Sequence, residues 1–499
     1  MSLIKTIQSR QIPLALVVLF PWIACFGAPV LSLVYQAFFS VGEAHLFDPL
    51  VIAKLKMTVF QSGISALVSG VLGFGLGWVL RHHPSAHAWL RIPFGIPSLV
   101  AVAAWTSLGV SYSLGAVIWA HVFFNVPWVA LSVAQAAGSV PRTWDETAQT
   151  VGSSLWARIR WVWWPVIGPA WIVSMAQTFS WCASSFVIVL ILGGGPPVET
   201  LETAIYSSVR AGTLDLRQAC VLGVWQLLLG FGPGWLARSC SGRLAPERIR
   251  ISVSPARKVS SSVWRRGLAA VWVFPYFVFL KDLEWSAWSD LAWRELRVAL
   301  FFSLGVGVMT AFFTVLWSAL AVLFLRQVPR FFESLLTLPA GVSSISLALG
   351  FWLAFARWID PFEGSLGAWI AIQSVIFSPM VLRTFLPIAA ASPVAALGVA
   401  RSVGASRWQA FWWVDWPRWR MPVWNSLFLV CSASLGEVAV VSFFGSENLT
   451  TVSGLISRWM GLYQFNQAYG LSALLMGMVL LLSLGGGFFE QKNRDFFVR

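Results

Sequence analysis

Residues 145–165 read DETAQTVGSSLWARIRWVWWP, and residues 398–417 read GVARSVGASRWQAFWWVDWP; the second lies on the first without a gap at a constant offset of 252 residues. Ala148 falls on Ala400, Gly152 on Gly404, Trp164 on Trp416 and Pro165 on Pro417. The match extends both ways, with Pro127 on Pro379, Pro141 on Pro393 and Gly193 on Gly445. Unrelated apolar helices share Leu and Val by chance but not this punctuation of Pro and Gly, so the chain reads as a tandem duplication.

The setting of these polar segments defines the class. The chain has 499 residues, 58% hydrophobic and 11% charged, and no ordinary soluble core can enclose that much apolar surface. Runs such as VFQSGISALVSGVLGFGLGWVL are long enough to cross a bilayer as helices. The first apolar run is not a cleaved signal, being long and without a small-residue cleavage site. The net charge of +14 is spread over short segments between apolar runs, which is the positive-inside pattern and not a nucleic-acid face. The 31 Trp crowd near predicted membrane interfaces, where an indole buries its ring and still hydrogen-bonds. Cys25, Cys182, Cys220, Cys240 and Cys431 are scattered, so neither a disulfide frame nor a metal site is expected.

Counting apolar runs predicts an all-α integral membrane protein with about twelve transmembrane helices. They lie near 12–38, 57–80, 93–111, 115–138, 166–192, 219–238, 262–280, 298–325, 335–356, 364–387, 420–444 and 469–489, the seventh being interrupted by Pro275. The predicted domains are a first half over 1–240, a basic cytoplasmic linker over 241–261 and a second half over 262–499. With both termini inside, the cytoplasmic segments hold Arg81, Arg91, Arg142, Arg158, Arg160, Arg401, Arg407, Arg418 and Arg420. The opposite loops are poorer in basic residues, although Lys54, Lys56, Arg210 and Arg297 fall there. Each half has an even number of crossings, so the two copies have the same orientation and the repeat is parallel. Inverted repeats are the pattern of many ion-coupled secondary carriers, and a parallel repeat counts against those folds.

In the first copy Ser139 and Pro141 are placed to start a short helix, with Asp145 and Glu146 near its positive end. Ala148 and Gly152 share a small-residue face, Gly152 breaks the helix, and Ser153 or Ser154 caps the next. In that second helix Leu155, Ile159 and Val162 form an apolar line with Arg158 and Arg160 off it, and Pro165 opens the membrane helix. This is a shape for docking and not for catalysis.

E-x-A-x3-G followed by twelve residues and Pro resembles the cytoplasmic "EAA" loop of ATP-binding-cassette import permeases. HVFFNVP (121–127) and LGGGPPVETLETAIY (192–206) are similar to the fused two-half permeases for thiamine and for ferric iron, and SLGEVAVVSFFG (434–445) is closer to the thiamine permeases. The resemblance covers nearly the whole chain. It implies a permease subunit, not an enzyme, that moves thiamine or thiamine phosphates inward by alternating access; a ferric iron importer permease is the alternative. It implies as partners two copies of a cytoplasmic ATPase, which use ATP and Mg, and a periplasmic substrate-binding protein. It also implies a bacterial inner membrane with both termini cytoplasmic, no cofactor in the chain itself and no nucleic acid. The ATPase-coupling residues carried over are Glu146, Ala148, Gly152 and Pro165, then Gly398, Ala400, Gly404 and Pro417. Gly398 stands where the motif has its glutamate, so the two contacts are expected to be unequal.

Glu437 lies within an apolar run, where an acid costs roughly 2.5–3.5 kcal/mol on insertion scales. It reads equally as a path-lining carboxylate or as a buried structural hydrogen bond. Its repeat counterpart is Ser185, beside Ser184; His121 and Asn125 share a helix face and are further candidates for the substrate path. Gly193, Gly194, Gly195 and Pro196 form a reverse turn on the outer side, a hinge or simply a helix end. No G-x-x-x-x-G-K-[ST] loop, HExxH or nucleophile elbow is present, so the chain has no phosphate loop of its own. Two other classes stay open: an ion-coupled secondary carrier, which needs no docking loop, and a membrane sensor or scaffold without flux.

Overall fold

The computed structural model describes residues 14–39, 46–83, 87–110, 112–210, 214–242, 262–283, 290–325, 328, 331–360, 363, 365–390, 394–446 and 449–497. The basic linker beyond residue 242 lies outside them. The described chain is α-helical, with short 3-10 and π turns and no β-strand among the described residues. Among the described residues, six helices are long and apolar enough to cross a membrane: Leu14–Phe39, Pro49–Leu80, Leu114–Ser139, Ala292–Leu325, Leu366–Ala390 and Phe465–Ser483. Shorter apolar helices, Ser98–Ser107 and Ser344–Phe355, accompany them.

The long helices are amphipathic in the sense a bilayer requires. On Pro49–Leu80 the buried residues are Thr58, Gln61, Ser62, Ser65, Ser69, three glycines and the apolar Val51, Ala66 and Leu80, whereas Phe60, Leu67, Val71 and Leu72 are exposed. Asp290–Leu325 repeats this arrangement, burying Ser303, Thr310, Thr314 and Ser318 and exposing Phe301, Val308, Phe312 and Phe313. Lipid is as apolar as Leu, so helix contacts in it rely on small residues and hydrogen bonds while the greasy side chains face outward.

Packing divides the chain into two compact units: Gly42–Trp285 with Met460–Gly470, and Met1–Val41 with Ser286–Trp459 and Leu471–Arg499. The sequence halves are defined by the repeat and the units by packing, and the two partitions differ in these short segments. In the unit holding the first repeat, Pro49–Leu80 lies against Leu114–Ser139. A methyl at Gly73 would meet Val129 Cβ at 2.5 Å, and Trp171 Nε1 donates to the Gly70 carbonyl at 2.9 Å. In the other unit the N-terminal helix packs on Ser344–Phe355, where a methyl at Gly350 would collide with the Pro29 backbone, and Trp317 Nε1 donates to Val18 O at 3.1 Å.

Several expected crossings are built from two pieces. The one near 166–192 is Trp164–Ala183 followed by Val187–Leu192, and that near 420–444 is Trp416–Leu435 followed by Ala439–Phe444. The breaks fall at Ser184–Ser185 and Gly436–Glu437, where hydroxyl, carboxylate and glycine offer the backbone alternatives to helix. Pro275 lies within the 3-10 turn Phe274–Asp282 that follows helix Ser262–Trp272.

Candidate functional site

The two copies of the polar segment fold alike. Arg142–Thr150, Leu155–Arg158, Ile159–Trp163 and Trp164–Ala183 have counterparts at Val394–Ser402, Arg407–Ala410, Phe411–Asp415 and Trp416–Leu435, every boundary 252 residues later. Gly152 and Gly404 take φ of +79° and +87°, in the left-handed region, and so turn the chain between the two helices. Pro165 and Pro417 stand at the start of their membrane helices. Each is preceded by a π turn, in which the amide of Trp164 reaches Ile159 O and that of Trp416 reaches Phe411 O. A proline ring crowds the carbonyl four residues back, and the wider turn accommodates it.

One local reading is corrected. Ser139 does not cap the first helix of the segment; its hydroxyl donates back to Ala136 O at 2.8 Å, and Pro141 takes the cap position without a side-chain bond. Along the apolar line Leu155 is 66% exposed, while Ile159 and Val162 are half-buried. Ser154 does cap, accepting from the amide of Ala157 at 3.2 Å.

The surface presented is apolar in matched places. Val151, Trp156 and Trp161 are 79%, 73% and 73% exposed, and their counterparts Val403, Trp408 and Trp413 are 79%, 68% and 82% exposed. Glu146 is exposed, as is Gly398 in its place, while Ala148 and Ala400 are half-buried.

What holds each copy in shape differs, and this was missed in the sequence. In the first, Asp145 accepts from Arg158 Nε (2.9 Å) and Nη2 (2.7 Å), from Trp163 Nε1 (3.1 Å) and from Gln149 Nε2 (3.0 Å). The Arg158 fork, with the indole and amide behind it, holds the Asp145 carboxyl below the usual carboxylate range despite partial burial. The second copy has Leu397, Ala410, Asp415 and Arg401 at those four places. It is held instead by rings, Trp408–Phe411 at 5.8 Å, Trp408–Trp412 at 5.6 Å and Trp412–Trp416 at 5.3 Å between centroids, and by reciprocal Ser406–Gln409 capping bonds. The 13-residue separation of Asp145 and Arg158 carries no periodic signal; only the turn at Gly152 brings them together.

The candidate path residues are placed at or near helix breaks. Glu437 sits between Trp416–Leu435 and Ala439–Phe444, half-buried, with Oε1 accepting from the amides of Ala439 (2.9 Å) and Val440 (3.3 Å) and the Ser344 hydroxyl beside it. Ser184 and Ser185 occupy the matching break, the Ser184 hydroxyl donating to Ser180 O at 2.9 Å. His121 and Asn125 are buried inside the first unit, and Asn125 Nδ2 donates to His121 O at 2.7 Å and meets Cys182 Sγ at 3.5 Å. In the Gly193–Pro196 turn, Gly194 (φ +71°) and Gly195 (φ +85°) are left-handed, and a methyl at Gly194 would meet Tyr112 Cβ at 2.8 Å. At Gly193 and its counterpart Gly445 a methyl would collide with the carbonyl four residues back, that of Val189 and of Val441. Beyond that turn Lys54 pairs with Glu199, and in the second repeat Arg458 pairs with Glu295 at 2.8 Å. These ion pairs were also not anticipated.

No protein-family model matches the chain. It is 25% identical over 479 residues to the thiamine transport system permease protein ThiP of Brucella abortus, covering 87% of each protein. It is 25% identical over 489 residues to that of Haemophilus influenzae, covering 92% of this chain and 85% of the relative. The sulfate transport system permease protein CysT of Escherichia coli is 23% identical over 196 residues, 35% of this chain and 71% of that protein. The chain is thus similar, over most of its length, to thiamine transport system permease proteins.

Proposed function

We propose that this multi-pass membrane protein is the permease subunit of an ATP-binding-cassette importer for thiamine or thiamine phosphates. The observation that carries the reading is the duplicated docking segment, identical in element boundaries and in the places of its exposed Val and Trp residues. Likeness to the thiamine permeases along most of the chain supports the substrate.

On this reading the two segments lie on the cytoplasmic face of a bacterial inner membrane, with both termini on that side. Each receives one copy of a partner ATPase, which supplies the phosphate loop this chain lacks and uses ATP and Mg. A periplasmic binding protein delivers the substrate on the opposite face. Glu437, at a helix break within the membrane, attracts the thiazolium cation, and Ser184 and Ser185, at the matching break of the first repeat, are further candidate path residues. Gly193 to Pro196 act as the hinge on the outer side.

The test is uptake of labelled thiamine at low concentration by cells lacking the gene, with and without its restoration and with excess ferric iron as competitor. Restored uptake that iron does not inhibit is expected. No difference between the two strains would move the substrate elsewhere, and inhibition by iron would favour the ferric alternative.

A further inference from the structure

The docking segment of the first repeat continues along the chain into the membrane helix Trp164–Ala183, so a push on the segment reaches that helix through the backbone. Helix Pro49–Leu80 has no such continuity, because it ends well before the segment begins, and movement reaches it only through packed side chains. The structure supplies them. Trp163, on the π turn, donates from Nε1 to Asp145 Oδ1 at 3.1 Å, and its ring meets that of Trp78 edge-on, with centroids 5.1 Å apart and planes at 69°. Trp78 lies in the last turn of Pro49–Leu80.

Arg81, the residue after that helix, closes the contact. Its Cζ stands 4.1 Å from the centre of the Trp78 ring and 5.8 Å from that of Trp163, within cation–π reach of both. Its Nη1 donates to Trp78 O, which fixes the guanidinium at the negative end of the helix. Burial pushes Arg81 below its ordinary pKa, and the Asp145 charge works against that. From Trp78 the contact runs about two turns up the helix: Trp78 stacks on Phe74 at 6.4 Å, Phe74 meets Trp171 edge-on at 5.7 Å, and Trp171 Nε1 donates to Gly70 O at 2.9 Å. The second repeat has other residues at these places. At the 252-residue offset Leu397 and Asp415 replace Asp145 and Trp163. Helix Asp290–Leu325 aligns with Pro49–Leu80 at an offset of 245 residues, through Leu325–Arg326 on Leu80–Arg81, and has Leu323 for Trp78 and no tryptophan in its closing run SALAVLFL.

We propose that Trp78, Arg81 and Trp163 are positioning residues for transport, which carry movement of the first docking segment to helix Pro49–Leu80. The inference rests on the transport reading above. An indole is rigid and has few torsions, so in a close-packed contact the displacement of one ring displaces the next.

The test uses the full-length chain in lipid nanodiscs and follows amide exchange over 72–80 when the docking segment is loosened by Asp145→Asn. In the parent background this change should quicken exchange over 72–80 about threefold, beside its effect on 142–158. In the Trp78→Leu background, which carries the residue of the second repeat, it should still loosen 142–158 and leave 72–80 unmoved. If Trp78→Leu does not fold, Trp163→Phe, which keeps a ring beside Trp78 but cannot bond Asp145, decides the same question. In cells, Trp78→Leu should lower the maximal rate of thiamine uptake severalfold with KM little changed. Arg81→Lys, which keeps a cation over the ring, should retain most of that rate, and Arg81→Gln should not. A merely structural contact gives additive changes, so an equal response of 72–80 in both backgrounds, or none in the parent, would overturn the inference. So would an unchanged uptake rate in Trp78→Leu where the parent transports thiamine. Exchange needs no substrate, so a parent that takes up no thiamine would count against the proposed function and leave the exchange response to decide this one.

Discussion

At the scale of single residues, the Asp145 carboxylate is the most heavily bonded group of the docking segments. Asp145→Asn removes the charge from a bidentate Arg158 pair whose side chains are about one-fifth exposed, so a loss of about 1 kcal/mol is expected. Amides over 142–158 should then exchange roughly fivefold faster, with those of the second copy unchanged. The pH dependence follows from the depressed titration of Asp145, caused chiefly by the Arg158 hydrogen bonds. A lowered carboxyl stabilises the fold above its unfolded value and loses that contribution as pH falls through the folded one. The segment should therefore stay closed at pH 5 and loosen only below about pH 4. Loosening between pH 6 and 7, measured by the same exchange, would assign the clasp to another group. Glu437→Gln keeps an acceptor for the Ala439 amide and removes only charge, so the helix break should persist while thiamine uptake falls at least about tenfold. Unchanged uptake would leave Glu437 as a helix cap alone.

At the scale of elements, the turns were legible and the ties between them were not. Gly152, Gly404, Pro165 and Pro417 impose backbone conformations wherever they stand, so their spacing alone predicted helix, turn and membrane entry in both copies. The Asp145–Arg158 pair, the ring stack about Trp412 and the bonds from Thr310 and Ser434 to Gln373 depend on how helices come together, and no local period announces them. Ser139 failed as a cap for a similar reason: the preceding helix continues to residue 139 and takes its hydroxyl. The glycine turns support a direct test. Both are left-handed and neither has an atom within 4 Å of where a methyl would sit, so Gly152→Ala and Gly404→Ala act through the backbone alone, at about 1–2 kcal/mol each. Exchange of the adjoining short helices should quicken to a similar degree at both sites. An effect at one site only would mean the two turns are not equivalent.

At the scale of the whole molecule, the duplication was legible because it is written in Pro and Gly, whereas the packing of the N-terminal helix was not. That helix is joined in sequence to the first repeat but packs in the compact unit that holds the second. Gly350→Ala forces a methyl onto the Pro29 backbone and should destabilise that unit by about 1–3 kcal/mol. Exchange over 344–355 should rise while that over 114–139 does not. The same duplication bears the functional account, since two matched docking surfaces are what a permease driven by a pair of ATPases needs. The most direct measurement is thiamine uptake in cells lacking the gene, restored with the parent chain or with Trp156→Asp/Trp408→Asp, after checking equal amounts of each in the membrane. The account predicts uptake with the parent and none above background with the double variant. Equal uptake by both would contradict it, because the exposed tryptophans of the two segments would then have no part in driving transport.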